Sequence, residues 1–123
     1  MTPLHYLDFD TSDGSDDTVV FDALATVPEA RRPALWAEVQ TVLAWAHATF
    51  PDQRAPIEDG GEWDYALQAT QEHSTPIALT YDEATTQFTA TPGTPGPQRH
   101  TIALSITATP TFATAFQESF NFG

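Results

Sequence analysis

The sequence predicts an α+β domain: a mainly antiparallel sheet of about five to six strands, with one long helix and a short C-terminal helix packed on one face. Three observations carry this. Apolar residues alternate at period two through most of the chain. One segment, residues 33–50, repeats instead at three and four residues. The strand-like segments are joined by links too short for parallel crossovers. The predicted order is β-β-α-β-β-β-β-α over a single domain, residues 1–123. A chain of this length buries roughly two-thirds of its unfolded surface, enough to stand without staples.

Residues 4–10 alternate as a strand, with His5, Leu7 and Phe9 on one face and Tyr6, Asp8 and Asp10 on the other. Asp13-Gly14 then reads as the centre of a hairpin turn, because both residue types tolerate positive φ. The second strand, residues 18–27, is apolar on both faces and is expected to be central and covered twice.

Pro28 and Pro33 bracket a short turn, after which the long helix starts near residue 33. Leu35, Val39, Val42, Leu43, Ala46 and Phe50 form its buried stripe, flanked by Trp36 and Trp45. Pro51 ends it, and residues 51–61 are a loop with Gly60-Gly61 near its end. In the next strand Trp63, Tyr65, Leu67 and Ala69 face one way and Glu62, Asp64, Ala66, Gln68 and Thr70 the other.

Ser74-Thr75-Pro76 breaks that strand. Ile77, Leu79 and Tyr81 mark another, and residues 85–91 the one after, with Phe88 and Ala90 on one face. Three prolines and two glycines in residues 92–97 exclude a regular element there. The last strand, residues 98–108, turns Ile102, Leu104 and Ile106 inward. Thr109-Pro110 reads as N-cap and first helical residue, and Phe112, Phe116 and Phe120 line one edge of the closing helix.

Composition excludes much chemistry. The chain has no Cys, and its four basic residues are all Arg. Disulfides, thiolate nucleophiles, Cys-type zinc sites, Schiff-base catalysis and the P-loop Lys are therefore out. Seventeen acidic residues give a net charge of −13, which disfavours nucleic acid and anionic membranes and favours a basic protein partner. Residues 1–10 show no leader pattern, and no stretch approaches the roughly 18 apolar residues of a membrane span. A soluble cytoplasmic protein is expected, and the Ala-, Thr- and Pro-rich, Lys-free composition fits a GC-rich bacterial genome.

Two acidic groups stand out. The first is Asp8, Asp10, Asp13, Asp16 and Asp17. An EF-hand loop begun at Asp8 would carry Asp13 where Gly is required and Val19 where Glu is required, so no metal is assigned. The second is Glu58, Asp59, Glu62 and Asp64. Paired carboxylates do acid–base work only in a cleft that separates their pKa values, and the sequence shows none. His5, His47, His73 and His100 have no metal-ligand spacing, and no motif for acyl transfer or nucleotide binding occurs.

No catalytic residue or cofactor is therefore assigned. The reading is a non-enzymatic binding protein whose Asp8, Asp10, Asp13, Asp16, Asp17, Asp59, Glu62 and Asp64 meet a basic partner. One alternative is a small-molecule-binding domain or small enzyme, with a pocket between sheet and helices lined by Trp36, Trp45, Trp63 and Phe116. Another is a self-associating structural domain, a homodimer built on the Thr-rich face or an edge strand.

Overall fold

Three ten-residue strands pair antiparallel at the centre of the molecule, seen in a computed structural model that describes residues 3–120. They are β2 (Val19–Pro28), β3 (Trp63–Glu72) and β6 (Arg99–Ala108), with β6 in the middle. The short β1 (Asp10–Asp13) adds to the far side of β2, giving the order β1-β2-β6-β3. A second antiparallel pair, β4 (Ile77–Asp82) and β5 (Gln87–Pro92), forms a separate two-stranded sheet. The long helix α1 (Arg32–Thr49) follows a single 3₁₀ turn, and α2 (Pro110–Phe120) ends the described chain. The architecture is α+β with six antiparallel strands divided four and two. Among the described residues, no helix is long and apolar enough to cross a membrane.

Register builds the core in rows. Phe21, Ile106 and Tyr65 lie side by side, as do Ala23, Leu104 and Leu67, then Ala25, Ile102 and Ala69. Period-two alternation turns all of them to the helical side. Leu35, Val39, Val42 and Ala46 of α1 and Phe112, Phe116 and Phe120 of α2 complete the same cluster. Ring contacts knit it: Phe116 lies edge-on to Phe9 and Phe21, and Trp45 meets Phe112, Phe116 and Phe120. The Trp63 indole N–H is buried there with no acceptor among the described residues.

Three expectations change. Residues 4–9 are not a strand, although Leu7 and Phe9 are buried as their alternation requires. The amides of His5, Tyr6 and Leu7 all donate to the buried Glu38 carboxylate of α1, at 2.7–3.1 Å. Convergence on one side chain is incompatible with a ladder. The hairpin loop is Gly14–Thr18, with Asp16 and Asp17 in the left-handed region. Gly14 is needed for space instead, since a Cβ there would stand 2.3 Å from Thr18 Oγ1. Finally, β2 is covered on one face only: Asp22, Leu24 and Thr26 face solvent, Leu24 with 70% of its surface exposed.

The β4–β5 hairpin continues the β3–β6 pair beyond the body. Between them, Gly93 N–H donates to Pro76 O and Gly96 N–H to Ser74 O, at 2.8 and 2.7 Å. Every residue of β4 and β5 is exposed.

Candidate functional site

The face of the sheet opposite the helices carries an open cleft of about 480 Å³. Ser105 and Thr107 of β6 and Ala66 of β3 form its floor. They are there because outward positions alternate with the buried Leu104, Ile106 and Ala108. Register places Asp64 opposite Thr107. One wall is Ser15, Asp16 and Thr18 of the β1–β2 loop, and the other is Pro56, Ile57 and Glu58.

Both walls are tied down by backbone bonds. In the first, Gly14 N–H donates to Thr18 O at 2.8 Å, and both Thr18 N–H and Thr18 Oγ1 donate to Ser15 O. In the second, Ala55 N–H donates to Trp63 O and Glu62 N–H to Gln53 O, each at 3.0 Å. Gly60 takes the left-handed region that closes its turn. A Cβ on Gly61 would lie 2.0 Å from Ala55 O, so only glycine lets the loop fold back this tightly.

Asp16, Glu58 and Asp64 thus come from two loops and a strand to one cleft. Asp64 accepts from Arg54 Nε and from Tyr65 N–H, both at 2.9 Å, and the Arg54 guanidinium lies over the Tyr65 ring. Ionised carboxylates only accept hydrogen bonds, and the flanking hydroxyls both accept and donate. Such a lining suits a cation with several N–H donors.

Of the predicted site residues only Asp16 and Asp64 line this cleft; Glu58 takes the place expected of its neighbour Asp59, and the others lie elsewhere. Asp13 and Asp17 border a neighbouring cleft with Pro110, and Asp10 lies beside Asp22 and Leu24. Asp8 is exposed before β1, and Asp59 is exposed in a 3₁₀ turn. Glu62 turns away: its Oε2 accepts from Thr109 Oγ1 at 2.5 Å, while Thr109 Oγ1 caps α2 by accepting from Phe112 N–H.

Trp45, Trp63 and Phe116 pack against aromatic neighbours in the core, and Trp36 borders a groove between α1 and β3. His100 is buried against Glu29, His47 meets the Trp63 ring edge-on, and His5 is exposed. Among the described residues no three His, Asp or Glu side chains converge as metal ligands would.

Sequence reasoning missed two features. Glu38 lies on the apolar stripe of α1, between Leu35 and Val42 at helical spacing, and that placement is the signal of a buried carboxylate. The cleft itself depends on which strands pair, since Asp64 and Thr107 are neighbours only across the β3–β6 ladder. Comparison of the chain with protein-family models, curated proteins and solved structures finds no match.

Proposed function

We propose that the chain is a non-enzymatic binding protein for a basic protein partner, soluble and cytoplasmic, and that the cleft on the open sheet face receives the partner's Arg or Lys side chains. The convergence of Asp16, Glu58 and Asp64 from three separate elements carries this reading. The net charge of −13 supports it by drawing a cationic partner from a distance. The Ser and Thr floor supplies neutral acceptors around the carboxylates. Arg54 already pairs with Asp64, so a guest guanidinium would join or displace an existing cation there.

A fluorescently labelled oligolysine, titrated at low and high salt, tests the proposal. Binding at low salt should fade at high salt, because exposed charges are screened beyond about 8–10 Å. Substituting Asp16→Asn, Glu58→Gln and Asp64→Asn together should weaken binding about tenfold or more, a cost of about 1.4 kcal/mol. A second triple variant, Asp52→Asn, Glu72→Gln and Glu83→Gln, loses the same charge away from the cleft and should bind nearly as the parent does. Equal losses in the two variants would reduce the cleft to bulk charge and sink the proposal.

A further inference from the structure

The geometry points to a homodimer in which the β4–β5 hairpin of each chain lies in the α1–β3 groove of the other. Pairing across the hairpin sets Tyr81 opposite Phe88, Leu79 opposite Ala90 and Ile77 opposite Pro92. Opposed residues share a face, so one side of the hairpin is wholly apolar. Ile77, Leu79, Tyr81 and Phe88 keep 53–68% of their surfaces exposed. Every residue of the two strands stays exposed among the described residues. A lone two-stranded hairpin is marginal in water, so this face calls for a cover.

The same chain carries an apolar surface to match. Trp36, Val39, Leu67, Ala69 and Ile102, with Gln40, line a groove of about 280 Å³ beside α1. Trp36 and Leu67 are 44% and 42% exposed there, because the helices cover β2 and β6 but stop short of the outer half of β3. No lining residue is charged.

Charge favours a second copy over a basic protein at this surface. Residues 73–98 hold two of the chain's seventeen acidic residues, Asp82 and Glu83, and none of its arginines. Both acids sit at the hairpin's tip, away from the apolar positions. A cationic partner finds no carboxylate on this face, whereas an apolar groove meets no like charge.

Area agrees as well. With aromatic side chains offering about 150–250 Å² each, the exposed parts of the hairpin and groove residues come to roughly 600 Å² per chain. A standard interface takes about 800 Å² per partner, of which about 65% is apolar in homodimers. Two-fold symmetry uses both surfaces of both chains at once.

The dimer does not rest on the acidic cleft, and salt separates the two. Binding of a cation weakens as salt rises, whereas association of two acidic chains through apolar faces tightens as their repulsion is screened. Sedimentation equilibrium of the full chain over the micromolar range should show a dimer that strengthens with salt. Leu79→Asp with Phe88→Asp should give a monomer whose far-UV circular dichroism is unchanged. Thr89→Asp, on the opposite face of β5, adds the same kind of charge and should remain dimeric. Trp36→Ala should weaken the dimer about tenfold, or about 1.4 kcal/mol. A monomer at all salts, a dimer that salt weakens, or a dimer that survives the Leu79/Phe88 variant would overturn the inference.

Discussion

The body sheet and the β4–β5 hairpin are written in the same alternation and end in opposite environments. In β6, Ile102, Leu104 and Ile106 alternate with Thr, Ala and Ser and are buried. In β4, Ile77, Leu79 and Tyr81 alternate with Ala and Thr and stay exposed. Even the parity persists: odd residues of β3 and even residues of β6 face the helices, and odd residues of β4 and even residues of β5 form the apolar side of the hairpin. The difference lies in the chain segments adjoining each pair. Beside β6 the chain supplies α2 directly after Thr109, and α1 lies over β2. Around β4 and β5 it supplies only a turn and the Pro- and Gly-rich return of residues 93–98. Alternation specifies an apolar face, but a cover for that face must come from elsewhere.

The sharpest way to test the contrast is to truncate one ring in each region. Phe116 is fully buried and touches the rings of Phe9, Phe21, Trp45 and Phe120. Phe116→Ala should cost about 3–5 kcal/mol in urea unfolding, the transfer term plus the cavity left behind. Phe88→Ala, measured at concentrations low enough to keep the chain monomeric, should stay within about 0.5 kcal/mol of the parent. Similar costs at the two positions would break the comparison, because the hairpin would then belong to the body's cooperative unit.

Glu38 marks a second way in which the body differs from the hairpin, since a polar clamp holds its first segment in place of a strand partner. Three amides rely on one carboxylate. Glu38→Gln keeps the shape but removes the charge and one acceptor oxygen, so a loss of about 2–3 kcal/mol is expected. Hydrogen exchange should locate it: the amides of His5, Tyr6 and Leu7 should lose protection while those of β2 and β6 keep theirs. Uniform loss across the sheet would mean that the clamp acts on the whole fold.

What the sequence made legible was what neighbours along the chain decide. The helix predicted over 33–50 is Arg32–Thr49, and the Thr109-Pro110 start of α2 stands as read. Proline positions, caps and three-four spacing are local properties, and they suffice there. Residues 4–10 show the limit. Their alternation correctly buries Leu7 and Phe9, yet their backbone partner is a carboxylate more than thirty positions away. Strands β2 to β6 were legible one by one, whereas β1 occupies Asp10–Asp13, where Asp13-Gly14 reads as a turn. The division into four and two was not legible either, because nothing in residues 77–92 says that the helices end before reaching them. The acidic residues were equally legible as a population. Three of them share a cleft and Glu62 anchors Thr109, and that sorting depends on pairing and loop closure.

The smallest expected effect lies where body and hairpin meet. Glu29 follows β2 at its end, its N–H donates to Gln98 O at 3.1 Å, and its carboxylate meets the buried His100 ring and Arg32. The hydrogen bond to His100 is the main reason the Glu29 carboxyl titrates below its ordinary value of 4.5; partial burial opposes it, and the charges of Arg32 and His100 assist. A depressed folded pKa means that the native state favours the ionised form. The contribution is therefore fully present above pH 4.5, declines as pH falls below that value, and is gone beneath the folded pKa. Glu29→Gln should flatten the fall in urea midpoint just below pH 4.5. The effect is small because the carboxylate is nearly half exposed and solvent screens its pairing with Arg32. If acid loosens this junction first, exchange at residues 98–100 should rise before that at 102–106, with the hairpin released from the body while the core rows still hold. Simultaneous exchange of both segments would place the junction inside the core's cooperative unit and move the boundary between the two regions outward along β6.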